Sequence, residues 1–154
     1  MTSTKKIKDA IYENLTNKAQ KSAFDFINYF SEDMLFEDEG WCWKVKYKDE
    51  TVIHFRIGGF QNEPNWLAWS ATAFDYSDTE IDEQYKKIAW ENICTCGKCG
   101  SDCAPGRRAV IFGKTFENCC TSSLMFINPN GDGLECLKKL IDIRKADIIA
   151  RTNK

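Results

Sequence analysis

Six of the chain's eight cysteines fall between residues 94 and 120. They form the run Cys94-Thr95-Cys96-Gly97-Lys98-Cys99-Gly100-Ser101-Asp102-Cys103, followed by the pair Cys119-Cys120. Thiols at this spacing can hold a metal ion. A structural zinc takes four thiolate or imidazole ligands in a tetrahedron, with sulfur at about 2.3 Å. A two-residue spacer such as Gly97-Lys98 lets one tight turn present two sulfurs, Cys96 and Cys99, to one ion. Glycine helps there because backbone amides must curl toward the thiolates. Cys103 follows after three residues, and either Cys119 or Cys120 supplies a distant fourth ligand. The expectation is a zinc knuckle in the loop 94–120. Its metal staples the loop to a later strand and contributes on the order of 10 kcal/mol to folding.

Other chemistries compete for the same thiols. An iron–sulfur cluster uses four cysteines, but the order here does not match the ferredoxin run. A redox dithiol at Cys96 and Cys99 would be expected to open a helix, and Gly100-Ser101 starts one poorly. Free thiols suit Cys42 and Cys136, which read as packing residues.

Outside the cluster, catalytic signals are sparse. His54 is the only histidine, and no Ser-His-Asp or Cys-His arrangement is legible by spacing. It reads as structural. Arg107-Arg108 with Lys98 and Lys114 could bind an anion, but the ends of a solvated strand explain them as well. No phosphate-loop or dinucleotide fingerprint is present. Five tryptophans are many for 154 residues. Trp41, Trp43, Trp66, Trp69 and Tyr76 read first as core. As a second reading they line a pocket for a small ligand, since aromatic side chains dominate such sites.

Composition sets the bounds. The length suits one domain over 1–154 with a core of its own. Lys plus Arg is 21 and Asp plus Glu is 23, so a net charge of −2 exerts no global pull on nucleic acid or membrane. The N-terminal Lys5-Lys6-Ile7-Lys8 lacks the apolar run of a signal peptide. No window is apolar over bilayer length. The expected location is cytoplasmic, where thiols stay reduced.

The elements that must position these residues follow from periodicity. Ile7, Ile11 and Leu15, then Ala19, Ala23, Ile27 and Phe30, predict helix over about 4–30 with a kink near Asn17. This is the N-terminal helical segment, 1–30; sheet and further helices occupy 41–150. Alternation predicts a strand from Trp41 to Tyr47, a turn at Lys48–Thr51 and a return strand from Val52 to Ile57. His54 and Arg56 then lie on the face opposite Ile53, Phe55 and Ile57. Trp66 to Phe74 predicts a third strand. Ser77 and Glu80 have capping-box spacing for a helix to about Trp90. Arg107–Phe112 and Ser122–Ile127 predict two more strands. Asp132 and Glu135 predict the cap of a final helix to about residue 150. The fold expected is α+β: a mainly antiparallel sheet of about five strands, N-terminal, middle and C-terminal helices, and a zinc-stapled loop.

The run Cys96-Gly97-x-Cys99-Gly100-x-x-Cys103-x-Pro105-Gly106-Arg107-Arg108, then Ile111-Phe112-Gly113-Lys114-x-Phe116-x-Asn118-x-Cys120, resembles a group of uncharacterised proteins from Clostridia and related Firmicutes. The likeness extends to the aromatic strand around Trp41 and the Asn-Pro before a last helix ending near Arg144-Lys145, over about residues 20–147. It implies Cys120 as the fourth ligand, giving Cys96, Cys99, Cys103 and Cys120. Cys94 and Cys119 have no counterpart in it. It implies a site and no activity. The functional expectation is a cytoplasmic domain with structural Zn2+ that is not an enzyme and binds a small molecule or protein partner through its aromatic sheet. Two alternatives stand beside it: a thiol-dependent redox enzyme using Cys96 and Cys99, and a nucleic-acid-binding zinc module.

Overall fold

The computed structural model describes residues 2–58, 65–71, 76, 79–95 and 106–152. Cys96, Cys99 and Cys103 lie outside them, as does Ser77. The first stretch is two helices, α1 (Ser3–Asn14) and α2 (Asn17–Tyr29). Leu15 and Thr16 between them are extended, which breaks the chain where Thr16-Asn17-Lys18 interrupts the apolar stripe. The Thr2 hydroxyl caps α1 by accepting the Lys5 N–H at 3.2 Å.

Seven strands follow in one sheet: β1 (Met34–Asp38), β2 (Trp43–Tyr47), β3 (Glu50–Ile57), β4 (Trp66–Ser70), β5 (Ile93–Thr95), β6 (Arg107–Ile111) and β7 (Lys114–Ile127). Their order is β1-β2-β3-β4-β7-β5, with β6 also paired to β7. Every pairing is antiparallel. Two more helices, α3 (Glu83–Glu91) and α4 (Gly131–Thr152), complete the described fold. The α+β class and the antiparallel sheet are as expected; the strand count is seven among the described residues, not about five.

Two strands escape the sequence pattern for physical reasons. In β1 the inward positions, Met34 and Phe36, are only two, and acidic Glu37 and Asp38 mimic a loop. Lys44 and Lys46 on β2 stand opposite Glu37 and Leu35, and Lys46 pairs with Glu37 at 3.2 Å. β5 has three residues and is held mainly by its long neighbour β7. The last strand begins at Lys114 rather than Ser122. Trp41 lies before β2, not in it. The turn between β2 and β3 is only Lys48-Asp49, both at positive φ (50° and 66°), as a two-residue hairpin requires. Phe112 and Gly113 (49° and 85°) make the same turn between β6 and β7. Helix α3 starts at Glu83, later than the Ser77–Glu80 spacing implies. Helix α4 starts at Gly131, so Asp132 lies in its first turn instead of capping it.

The helices bury one face of the sheet. Ile7 and Ile11 of α1, Phe26 and Ile27 of α2, and Leu137, Ile141 and Ile148 of α4 join Val45, Phe55, Trp66, Ala68 and Phe126 in one cluster. The Phe26 ring lies 5.5 Å from Phe55 and 5.0 Å from Trp66. Such pairs add about 0.5–1.5 kcal/mol beyond area burial. Arg144 of α4, almost fully buried, donates from Nε to the Thr51 carbonyl at 2.9 Å and pairs with Asp147 at 3.1 Å. This ties the last helix to β3. No helix among the described residues is long and apolar enough to cross a membrane.

Candidate ligand cleft and cysteine loop

The opposite face of the sheet carries the polar side chains of the alternation. One row runs across five strands in register: Glu37, Lys44, His54, Trp69 and Met125. The connection from β1 to β2 folds back beside this row. The Glu39 N–H donates to the Cys42 carbonyl at 3.0 Å, and the Glu39 carboxylate pairs with Lys44 at 2.6 Å. Lys44 holds the Glu39 carboxyl below its usual range, and Glu39 in turn raises the Lys44 ammonium. Asp38 accepts the Gly40 N–H at 2.8 Å, and Gly40 (φ +90°) lets the chain turn.

That turn lays Trp41, 64 % exposed, against Trp69, with ring centroids 5.5 Å apart and planes 18° apart. Trp69 also stacks on His54, at 5.4 Å and 8°. His54 Nδ1 is buried without a hydrogen-bond partner among the described residues. Burial, helped by the Lys44 charge and opposed by Glu39, holds the imidazole below its ordinary pKa. His54 is therefore neutral at pH 7. The unfolded chain takes up a proton near pH 6.5 that the folded chain resists, so folding loses stability as pH falls below that value. We expect the urea midpoint to drop between pH 7 and pH 5.5, and His54→Phe to flatten that slope. An unchanged slope in the variant would remove His54 as its source.

Where β2 begins and β3 ends, the strands open into a cleft of about 320 Å³. Trp41, Cys42, Trp43 and Arg56 line it, together with Asn14 at the end of α1 and the backbone at Gly40 and Gly58. Gly58 is required here: its φ is +77°, and an added Cβ would sit 3.2 Å from the Asn14 side chain. The Asn14 amide nitrogen is occupied, donating to the Ala10 carbonyl at 2.8 Å. Cys42 is buried, and desolvation pushes its thiol up to about 11. It is a protonated packing group at neutral pH.

The five aromatic candidates therefore divide. Trp41 and Trp69 stack on the outer face, and Trp41 and Trp43 line the cleft. Trp43 also stacks on Phe55 at 6.4 Å. Trp66 and Tyr76 are core; Trp66 Nε1 donates to the Ser22 hydroxyl at 3.1 Å. His54 and Arg56 share the outer face with Trp69; the sequence reads His54 as structural and gives Arg56 no role. The alternation had put both on the correct face, but nothing local says that Trp69 stands beside His54.

Among the cysteines, Cys119 is fully buried in the core cluster, while Cys120 is half-buried and outside it. Cys136 is buried, its thiol pushed up to about 12 by desolvation. Cys94 is buried on β5 but stands outside the core cluster. Thr95 and Arg107, which bracket residues 96–106, both register with Cys119, one from each side of β7. With neighbouring strands about 4.8 Å apart, these two ends lie roughly 10 Å apart across β7. The return end is clamped: the Gly106 N–H donates to Asn118 Oδ1 at 2.9 Å, and a Cβ on Gly106 would meet the Asn118 backbone at 2.5 Å. We expect Gly106→Ala to cost about 1–3 kcal/mol by overpacking. Chemical denaturation checks this, and a change within error would mean that the strands yield freely. Among the described residues no three His, Cys, Asp or Glu side chains converge on a metal position. Arg108 pairs with Glu117 at 3.4 Å, and Lys114 lies over the Trp90 ring at 5.2 Å. The described cations near the loop thus have local partners.

Comparison with protein-family models, with curated proteins and with solved structures returns no match.

Proposed function

We propose that the chain is a cytoplasmic, non-enzymatic binding domain that takes a small flat ligand in the cleft between Trp41 and Trp43. The observation that carries this reading is the cleft itself. Two indoles, one guanidinium and bare glycine backbone meet there, in a volume typical of small-molecule sites. The buried, protonated thiol of Cys42 argues against nucleophilic chemistry at the same place. The test is a ligand-observed NMR screen of small aromatic compounds against the whole chain. Binders are expected, with binding lost in Trp41→Ala while that variant stays folded. A screen without binders, or binders indifferent to Trp41→Ala, overturns the reading.

The same proposal keeps zinc as a structural ion held by Cys96, Cys99, Cys103 and Cys120. Its support is the placement of Thr95 and Arg107 on either side of Cys119, with the half-buried Cys120 next along β7. A thiolate at Cys119 would put charge among the apolar residues of the core, which is costly. The ion would neutralise thiolate charge and close the loop, with no part in turnover. A redox role for Cys96 and Cys99 and a nucleic-acid role for Arg107-Arg108 have no observation in their favour.

A further inference from the structure

We propose that Asn130 is a site of spontaneous deamidation in the folded chain, and that the fold accepts the aspartate it yields between Lys18, Lys21 and the start of α4. Asn130-Gly131 is the only Asn-Gly pair in the sequence. In such a pair no side chain shields the backbone nitrogen that follows the asparagine. That nitrogen attacks Asn130 Cγ and closes a five-membered succinimide through a new Cγ–N bond. The Cγ–Nδ2 bond breaks, and ammonia leaves with the proton of the Gly131 N–H. Water then opens the ring at either carbonyl, giving aspartate or isoaspartate. The net change is ammonia lost and water gained, with no oxidant and no enzyme.

The structure leaves this step open. Asn130 and Gly131 are both exposed. The Asn130 side chain makes no hydrogen bond among the described residues, so its amide can turn toward the next nitrogen. Gly131 has φ +51°, and a Cβ built on it would have nothing within 4 Å. Its N–H is the first of α4, and the first amides of a helix have no partner within it. The surroundings also suit the product. A cleft of about 620 Å³ lies between this end of α4 and α2, lined by Lys18, Lys21, Asp25, Asn130 and Gly131 among others. Asp25 is taken by Lys138 at 3.1 Å, whereas Lys18 and Lys21 have no ion pair among the described residues. A carboxylate at position 130 gains two cations and the positive end of the α4 dipole. Only the exposed Asp132 in the first turn opposes it at close range among the described residues. The two products differ in the backbone. The Asn130 carbonyl accepts the Gly133 and Leu134 N–H groups at 3.0 and 3.3 Å. Aspartate keeps that carbonyl in place, while isoaspartate reroutes the main chain through Cγ and displaces it.

The experiment incubates the full chain at neutral pH and follows the peptide around Asn130 by mass spectrometry, beside a sample kept unfolded in guanidinium chloride. We expect the folded chain to gain one dalton at Asn130 at a rate comparable with that of the unfolded one. Gly131→Ala should slow the conversion severalfold, because its methyl group crowds the attacking nitrogen. Reading that variant in guanidinium as well makes the result independent of its folding. Asn130→Asp, which installs the aspartate product directly, should raise the urea midpoint at low salt. That gain should vanish in a chain that also carries Lys18→Gln and Lys21→Gln. Asn130 intact in the folded chain while the unfolded sample converts would overturn the proposal. So would a rate unchanged by Gly131→Ala. A midpoint of Asn130→Asp at or below that of the parent chain, or a gain that survives loss of both lysines, would overturn the accepting role of Lys18 and Lys21.

Discussion

Chelation of the zinc-loaded chain is expected to unfold it. Four thiolates on one ion contribute on the order of 10 kcal/mol, while a whole domain is stable by only about 5–15 kcal/mol. Two substitutions at neighbouring positions sharpen the test. Cys120→Ser should lose the metal and with it most of the stability. Cys119→Ala should retain one zinc per chain and lose only about 1–2 kcal/mol, the cost of a small void in the core. Elemental analysis with circular dichroism before and after chelation reads both. A chain that stays folded when stripped would end the case for a structural ion. One zinc retained by Cys120→Ser and lost by Cys119→Ala would reverse the assignment of the fourth ligand.

Trp66→Ala should be the most damaging change in the apolar core. The indole has no solvent exposure, lies 5.0 Å from the Phe26 ring and donates to Ser22. Large-to-small changes of this kind cost about 3–5 kcal/mol. The lost hydrogen bond leaves a largely buried hydroxyl with one partner fewer. Trp41→Ala, on the exposed ring, should cost under about 1 kcal/mol. Urea denaturation of the two variants side by side measures the contrast. A cost below about 2 kcal/mol for Trp66→Ala would mean that the core collapses into the void.

The contrast between these tryptophans shows where the sequence was readable and where it was not. Apolar spacing identified the buried faces of the helices: Ile7, Ile11 and Leu15, then Leu134, Leu137, Ile141 and Ile148, are all buried. Local periodicity is enough for a helix because its neighbours lie within four residues. Alternation likewise placed His54 and Arg56 opposite Ile53 and Phe55. It could also have separated Trp66 from Trp69, since residues three apart on a strand face opposite ways. The second reading of the five aromatics, as the lining of one pocket, does not fit that rule, while the first, as core, holds for Trp66 and Tyr76. What no local pattern contains is partner choice between strands. His54 meets Trp69 through the β3–β4 register, and Trp41 reaches Trp69 only because Gly40 and the Glu39–Lys44 pair fold a loop back. The position of Cys119 between β5 and β6 depends on pairings of the same kind. Three of the four proposed metal ligands lie outside the described residues, so the sequence remains their only argument.

The sheet's connectivity also sets an order of events during synthesis. Every residue that lines the cleft lies between Asn14 and Gly58. The helices and strands that carry them, from α1 to β3, pair with near neighbours in the chain. Strand β4 finds its second partner only when β7 arrives, with Leu67 waiting for Ile127. All the side chains of the cleft are therefore made before any cysteine of the 94–120 loop. A ligand that binds there would meet the nascent chain first, and the metal would come to a protein already half assembled.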